Sequence, residues 1–423
     1  MSEKTQAQKD LEHFLDFSMV YGKSYLAAGG PSNRMEDQIS ELAYKFNYFA
    51  EVFATPTGVF ISVYDRTKDA SATSIGRIKE NAINLNQLCW LETMLEDLQN
   101  SKISVTAATK ILQTSKFKQP IYTGIQRSLA SFTMGFMVSL PAFYDIKAAI
   151  MSGLITFGTF WIVTEPSLKT IASSLIFRDF MGSLFVYFAS LFSALFLKGS
   201  FDAYSMGGIL FLVPGLAITT AISELAEQNF ISGTAKLMKG ILSVLSMGIA
   251  YMIFKEFAPA AFDTSAIAKV VTPAWISVIG SLCSVFSFAV IFQVPRKALV
   301  WSTLTGFCSW SIFRFFQDSS YVTLASFIAS TAVGVLSIGL GKIFRIPSQT
   351  FSVPGILALL PGLLALTSFK FLATGQDLGG VQTAFKVTMV AGSIVFGLFV
   401  ARIPFSFAHA AQGRFNFKYG PRK

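Results

Sequence analysis

Histidine and cysteine are scarce in this chain of 423 residues, which contains only two histidines and three cysteines. His13 and His409 lie near opposite ends of the chain, and Cys89, Cys283 and Cys308 form no CxxC pair. This composition does not support a disulfide framework, a zinc site or a Ser-His-Asp triad. We therefore predict no catalytic residue, no metal site and no cofactor.

Charge is also scarce, because charged residues make up 14% of the chain against roughly 25% in a typical globular protein. The first 126 residues contain 13 Lys/Arg and 14 Asp/Glu, which leaves 21 and 10 of the chain's 34 and 24 for the rest. The first part is therefore predicted to be soluble and the rest to lie in lipid. The net charge of +10 then falls on the membrane part, where it favours lipid headgroups over nucleic acid as partners.

Two further signals are missing from the sequence. The first residues, MSEKTQAQKDLEHF, contain no apolar stretch of the kind found in a secretory signal peptide. We therefore expect the first domain to stay on the side of the membrane where it is made. The chain also contains no phosphate-binding loop of the GxxxxGK[ST] type, which argues against transport driven by ATP.

Residues 1–119 are predicted to form a small soluble α+β domain. Apolar spacing of three and four residues predicts helices, and a β-branched and aromatic stretch broken by TPTG predicts strands. Ser32 or Asn33 is the expected cap of the second helix. The predicted helices lie at 11–28, 35–46, 85–99 and 104–112, and the strands lie within 52–63 and near 71–75.

The rest of the chain is predicted to be a mainly α membrane protein with about ten transmembrane helices. Each apolar segment is close to the ~20 residues that cross about 30 Å of hydrocarbon. Lys and Arg residues before and after the bundle predict that both termini are cytoplasmic and that the protein is multi-pass in the cytoplasmic membrane. The segments lie at 128–145, 146–164, 180–197, 203–225, 237–254, 272–293, 298–315, 320–341, 350–370 and 384–403.

A weak internal repeat divides the bundle into two sets of five segments. Pro214-Gly215 lies in the fourth segment, and Pro354-Gly355 and Pro361-Gly362 lie in the ninth. Because five is an odd number, the second set enters the membrane from the opposite face, so the repeats are predicted to be inverted. The predicted units are 1–119 for the soluble domain, 120–257 for the first repeat, and 258–423 for the second repeat with its basic tail.

The Pro-Gly pairs predict broken membrane helices, since such pairs free backbone carbonyls. In inverted-repeat carriers, broken helices supply the substrate site. The alternative is a kink used only for packing, because proline and glycine are common in membrane helices. The candidate substrate-binding or gating residues are Pro214, Gly215, Thr219, Thr220, Ser223, Glu224, Ser352, Pro354, Gly355, Pro361 and Gly362.

Glu224 is the main candidate for an acid inside the membrane. It follows the first Pro-Gly pair and shares a helix face with Thr220, four residues earlier. A carboxylate at this position can bind a substrate ammonium or take up a proton. The alternative is an ordinary interfacial carboxylate at a helix end.

Several segments resemble the bacterial threonine/serine exporter family, in which a soluble domain precedes a ten-helix bundle. In the bundle the resemblance rests on VPGLAITTAISE (213–224), on Gly233 and on the VPG and PG pairs of the ninth segment. In the soluble domain it rests on Gly29 with SNRMED (32–37), FATPTGVFIS (53–62) and RIKENAINLNQL (77–88). The residues that match the family pattern there are Arg34, Glu36, Pro56, Arg77 and Asn84.

The resemblance implies secondary active export of threonine and serine by alternating access, with no enzymatic activity. Proton-coupled antiport is expected, with Glu224 as the coupling residue. For the soluble domain a gating or docking role is favoured over an enzymatic one, and a regulatory ligand site is the remaining alternative. This chain has Thr220 and Glu224 where the family usually has Asn and Asp, and Thr in place of Asn would alter substrate choice.

Other interpretations stay open at this stage. The two halves of the family also occur as separate chains associated with export of dicarboxylates such as succinate, which is the alternative substrate class. A membrane-anchored sensor or scaffold and a channel are further alternatives. The sequence leaves the oligomeric state open, and a homo-oligomer is among the options.

Overall fold

The structure is a computed structural model that describes residues 3–65, 70–78, 82–114, 119–164, 175–197, 199–257, 272–316, 321–373 and 375–405. The fold is mostly helical, with one small sheet near the N-terminus. The N-terminal helices are α1 (Glu3–Ala27), α2 (Ser32–Lys45), α3 (Leu85–Gln99) and α4 (Val105–Gln113). The first helices beyond them are α5 (Gly124–Phe143), α6 (Ile146–Thr164), α7 (Leu175–Leu197), α8 (Phe201–Leu212), α9 (Gly215–Ala226) and α10 (Phe230–Phe257). The remaining helices are α11 (Ala274–Ile291), α12 (Leu299–Phe316), α13 (Val322–Phe344), α14 (Gln349–Gly355), a 3-10 turn (Leu357–Leu359), α15 (Gly362–Ala373) and α16 (Asp377–Val400).

The sheet consists of three antiparallel strands in the order β1 (Phe49–Thr55), β2 (Gly58–Asp65) and β3 (Ala70–Arg77). Thr55 pairs with Gly58 across the turn, so the predicted break at TPTG is confirmed. Val59, Ile61 and Val63 of β2 are buried. Because side chains alternate between the two faces of a strand, these three residues form the core face of the sheet.

Helices α1 and α2 pack against the sheet, and α1 supplies most of the aromatic core. Phe17, Tyr21 and Tyr25 recur every four residues on one face of α1, and all three are fully buried. The rings of Phe17 and Tyr21 stack at 5.8 Å between centroids, as do those of Tyr21 and Tyr25. The predicted α+β character of the N-terminal region is therefore confirmed.

The chain forms two compact units from interleaved segments. The first unit contains Met1–Gln126, Thr220–Lys239 and Val290–Lys297, and the second contains the remaining residues. The unit boundaries predicted at 119 and 257 stay a prediction, and the predicted basic tail after residue 405 lies outside the described residues.

Backbone hydrogen bonds tie residues 292 and 293 to the N-terminal elements inside the first unit. The amides of Leu85 and Asn86 donate to the carbonyls of Phe292 and Gln293 at 3.0 and 2.9 Å. The amides at the start of α3 have no partner within that helix, and the Asn84 side chain satisfies one of them by accepting from Gln87 at 3.0 Å. The start of α3 is thereby fixed by its own cap and by residues about two hundred positions later.

Eight helices among the described residues are long and apolar enough to cross a membrane. The other two predicted segments, 128–145 and 298–315, fall on α5 and α12, so all ten predicted segments coincide with helices. The ten-span count and the inverted repeat stay predictions. The eight candidate spans are Ile146–Thr164, Ile176–Leu197, Phe201–Ala226, Phe230–Phe257, Ala274–Ile291, Val322–Phe344, Gln349–Leu372 and Asp377–Phe405.

Small residues allow helices of the second unit to approach closely. The Gly207 amide of α8 donates to Ser152 Oγ of α6 at 3.1 Å. A Cβ added to Gly207 would lie 2.6 Å from Thr156 Oγ1, so a larger residue does not fit. Small residues and short polar side chains are the usual contacts between membrane helices, because burial of apolar surface gives no driving force in lipid.

Candidate functional site

The fourth predicted segment is a discontinuous helix in the structure. Helix α8 ends at Leu212 and α9 begins at Gly215, with Val213 in an extended conformation between them. The ninth segment is broken as well, into α14, the 3-10 turn Leu357–Leu359 and α15. Both predicted breaks are therefore confirmed as backbone features, and a straight membrane anchor does not describe these segments.

The two breaks touch each other inside the second unit. A Cβ added to Gly215 would lie 3.0 Å from Leu360 Cβ and 3.3 Å from the amide nitrogen of Gly362. A Cβ added to Gly362 would collide with Val213 Cγ1. Glycine at both positions is thus what lets the two interrupted backbones come into contact.

The other Pro-Gly pair of the ninth segment packs against α12 and α13. A Cβ added to Gly355 would lie 2.7 Å from Val333 of α13 and 3.1 Å from Thr305 of α12. The carbonyl oxygen of Pro354 lies 3.0 Å from where a Cβ on Gly306 would be. Pro361-Gly362, and not Pro354-Gly355, is therefore the pair that meets the break of the fourth segment.

The candidate polar side chains of the two segments differ in burial. Thr219 is 2% exposed, and its hydroxyl has no hydrogen-bond partner among the described residues. Thr220, Ser223 and Ser352 are half-buried. Glu224 is 3% exposed and is the candidate with the most extensive set of contacts.

The Glu224 carboxylate lies in a polar cluster of the first unit. Its Oε1 atom forms a close ion pair with the Lys236 ammonium of α10. The same oxygen accepts from the Ser32 amide at 3.3 Å and from the Ser32 hydroxyl at 3.4 Å. The Ser32 and Ser232 hydroxyls are 2.8 Å apart, and both residues are fully buried.

Local sequence explains how α9 and α10 bring their side chains to this cluster. Ser232 and Lys236 are four residues apart in α10, which places them on one face of the helix. A Cβ added to Gly233 would lie 2.9 Å from the backbone nitrogen of Leu225. Glycine at 233 therefore permits the tight approach of the two helices that brings Lys236 to Glu224.

The start of α2 differs from the expected cap. Pro31 occupies the N-cap position, so the expectation that Ser32 or Asn33 caps the helix is wrong. Ser32 instead directs its amide and its hydroxyl to Glu224, a carboxylate 192 residues away in the chain. The free amides and the helix dipole make a helix N-terminus favourable for a carboxylate, so Glu224 supplies the acceptor for this helix end.

A second contact holds the same helix end. The Asn33 side-chain amide forms a close hydrogen bond with Glu227 Oε2, three residues after Glu224. The side-chain oxygen of Asn33, Oδ1, accepts from the Arg34 amide at 2.8 Å. The first two residues of α2 are therefore each bound to one acidic side chain from the C-terminal end of α9 or the turn after it.

The two oxygens of the Glu224 carboxylate differ in their contacts. Oε2 is buried and has no hydrogen-bond partner among the described residues. A buried polar atom without a partner costs about 1–3 kcal/mol, which is why such atoms mark places where a proton or a ligand binds. The cluster can therefore accept one further hydrogen-bond donor at Glu224.

The family-motif residues of the N-terminal region have mainly structural contacts. Arg34 forms an ion pair with Glu92 at 2.8 Å, and Glu36 Oε1 accepts from the Ala54 amide at 2.6 Å. Burial raises the pKa of Glu36, and the charges of Asp37 and Glu224 raise it further against the effect of the Ala54 hydrogen bond. Pro56 lies in the β1–β2 turn, Arg77 ends β3 and Asn84 caps α3.

The structure adds several residues that sequence reasoning did not place at the site. The sequence alone assigns no part in the site to Lys236, Ser232, Asn33 or Glu227. The four-residue spacing of Ser232 and Lys236 is a local signal for a shared face, but nothing local indicates that α2 meets this face. Among the described residues, no group of three or more His, Cys, Asp or Glu side chains has an arrangement that holds a metal ion.

The eight candidate spans among the described residues, two of which are interrupted, are those of a multi-pass membrane protein. The ThrE family model matches residues 16–257. A second model, described as Threonine/Serine exporter, ThrE, matches residues 277–403. The chain therefore belongs to the threonine/serine exporter family, whose members are membrane exporters and not enzymes. No curated protein and no solved structure matched the chain.

Proposed function

We propose that this protein exports small polar amino acids, threonine and serine foremost, across the cytoplasmic membrane by secondary active transport. The observation that carries the proposal is the pairing of the buried Glu224 carboxylate with the Lys236 ammonium. A zwitterionic amino acid has one ammonium and one carboxylate, which match these two charges. The site therefore fits an amino acid without leaving a buried charge uncompensated.

A dicarboxylate fits the same site less well. Succinate would bring two negative charges to a cluster that already contains Glu224 and, at its edge, Glu227. Like charges at short range are unfavourable, most of all where burial removes the screening by water. We therefore favour the amino-acid substrate over the dicarboxylate.

The broken segments support an alternating-access mechanism. Helices α6, α7 and α8 pack on one another, and α12, α13 and α14 form the same pattern in the second half of the chain. This parallel, with the contact between the two breaks, supports a pair of inverted repeats that rock against each other.

Glu224 is the proposed proton-coupling residue of an antiporter. Its Oε1 atom is held by Lys236 and Ser32, whereas Oε2 has no partner among the described residues. A proton and a substrate ammonium would compete for Oε2, since either one satisfies the same oxygen. Competition for one site is sufficient to couple outward movement of substrate to inward movement of protons.

The first unit supports the proposed orientation of the protein. Residues 220–239 and 290–297, which surround two turns predicted to be cytoplasmic, belong to the same compact unit as the N-terminal elements. Membership of one compact unit favours a location of all three segments on the same side of the membrane, which supports a cytoplasmic N-terminus. The N-terminal domain is in a position to gate or dock on this side.

The test is counterflow of labelled threonine, serine and succinate in proteoliposomes that contain the purified protein. We expect saturable exchange of threonine and serine and no exchange of succinate. Exchange of succinate alone would change the substrate class, and non-saturating flux would indicate a channel. The absence of any exchange in sealed, loaded vesicles would contradict the proposal.

Proton coupling is tested with Glu224→Gln in the same vesicles. We expect the variant to lose threonine transport driven by a pH gradient, because an amide cannot take up a proton at Glu224. Glu256→Gln removes an exposed carboxylate from α10 and should retain gradient-driven transport. If Glu224→Gln transports at the wild-type rate and with the wild-type pH dependence, Glu224 is not the coupling residue.

A further inference from the structure

We propose that the N-terminal domain supplies part of the substrate site: the hydroxyls of Ser32 and Ser232 bind the side-chain hydroxyl of threonine or serine. The inference rests on the proposed function and assigns substrate selection to a residue from helix α2. It gives the N-terminal domain a direct role in recognition.

The geometry of the two hydroxyls carries the proposal. Their oxygens are 2.8 Å apart, both residues are fully buried, and Ser32 is also bound to Glu224. Each hydroxyl has one donor and two acceptor positions. When Ser232 donates to Ser32 and Ser32 donates to Glu224, the Ser232 oxygen keeps acceptor capacity. A substrate hydroxyl is a donor that fits this oxygen.

The neighbouring charges match the rest of a hydroxy amino acid. The unpartnered Oε2 atom of Glu224 fits the substrate ammonium, and the Lys236 ammonium fits the substrate carboxylate. The cluster therefore offers one complementary group for each of the three polar groups of threonine or serine. Alanine has the two charged groups but no hydroxyl, so it cannot form a side-chain hydrogen bond with Ser32 or Ser232.

The site is closed in this structure, which gives α2 a second role. Glu224 is 3% exposed, and Lys236 and Ser32 already occupy its Oε1 atom. Entry of a substrate requires the Ser32 end of α2 to move away from the Ser232 face of α10. Asn33, bound to Glu227, resists that movement and so participates in loading.

The experiment compares Ser32→Ala and Ser232→Ala with wild type in threonine counterflow, with unlabelled alanine as competitor. Loss of one hydrogen bond of about 0.5–1.5 kcal/mol corresponds to a rise of roughly two- to tenfold in the half-saturating concentration. We expect this rise for threonine and serine, with little change in the inhibition constant of alanine. The preference for hydroxy amino acids over alanine then falls in both variants.

Two controls separate recognition from folding. Ser62→Ala removes a hydroxyl from the exposed face of the sheet, where it pairs with Thr73, and should leave both constants unchanged. Ser32→Thr retains a hydroxyl and should therefore keep most of the wild-type preference for threonine and serine over alanine. Each variant is accepted only with a thermal unfolding midpoint close to that of wild type.

Two outcomes would overturn the inference while the proposed function stands. In the first, Ser32→Ala and Ser232→Ala both retain the wild-type half-saturating concentration of threonine and the wild-type inhibition constant of free alanine. The other is an equal loss of affinity for threonine and alanine, which would show that the serines only position the charged groups. If the wild-type protein exchanges neither threonine nor serine, the proposed function fails and the inference fails with it.

Discussion

The pKa of Glu92, a half-buried residue of α3, is shifted in opposite directions by its surroundings. Burial raises the pKa of its carboxyl group, whereas Arg34 and hydrogen bonds from Tyr25 and Gln38 lower it, and the net result is a raised pKa. The folded state therefore favours the protonated carboxyl group more strongly than the unfolded state does. Relative to a neutral amide, the stabilising contribution of Glu92 is complete below the reference value of 4.5 and is lost as pH rises through the folded-state pKa.

We expect Glu92→Gln to gain stability relative to wild type as pH rises from about 5 to 8, because the amide avoids ionisation in the core. The measurement is the thermal unfolding midpoint of the full chain in detergent at each pH. Glu51→Gln, at an exposed position in β1, should show no such trend. A wild-type advantage that increases with pH would show instead that the Arg34 ion pair dominates.

At the level of single residues, the sequence identified candidate site residues but not the residues that they contact. Glu224 was identified by its place after a Pro-Gly pair, but its partners Ser32 and Lys236 were not. Arg34 was identified through the family pattern, and the structure binds it to Glu92. A residue's partner depends on tertiary packing, which periodicity and spacing do not contain.

At the scale of secondary-structure elements, the contact between the two helix breaks can be tested directly. Gly362→Ala places a methyl group against Val213, and overpacking of this kind costs about 1–3 kcal/mol. We expect the variant to lose most of its threonine counterflow, because Val213 and the start of α15 must separate to admit the methyl group.

Two further variants make this test specific. Gly392→Ala adds a methyl group in α16 where nothing lies within 4 Å, and it should retain wild-type exchange. Combining Gly362→Ala with Val213→Ala removes the colliding side chain and should restore part of the activity. Full activity of Gly362→Ala alone would contradict a functional role for the contact.

Elements with local signals were predicted well. The TPTG turn and the alternating strands around it were identified because turn residues and β-branched residues act locally. The breaks at Pro214 and Pro361 were identified because proline lacks an amide and cannot continue the helix. That these two breaks touch was not predictable, since some 145 residues separate them and only packing brings them together.

For the whole molecule, the testable expectation is its orientation in the membrane. In a background without Cys89, Cys283 and Cys308, we expect Lys147→Cys to react with an impermeant maleimide in intact cells. Lys297→Cys, in a segment of the first unit, should react only after the cells are permeabilised. The reverse pattern would place the termini outside, and equal labelling of both would contradict the ten-span topology.

The outer surface of the membrane part agrees with a lipid environment. Phe188, Phe192 and Phe196 recur every four residues along α7 and are 58%, 66% and 69% exposed. A helix face of this kind suits hydrocarbon and is costly in water. High overall hydrophobicity was readable from the sequence, whereas the interleaved membership of the two units was not, because it depends on contacts between distant segments.

The acceptor for the start of α2 also sets an order of events during synthesis. Ser32 leaves the ribosome 192 residues ahead of Glu224, which at 5–20 residues per second is roughly ten to forty seconds. Residues 290–297, the last segment of the first unit, emerge later still. The nascent N-terminal region must therefore persist beside the translocon with one helix end unpaired until the membrane helices that complete it have been inserted.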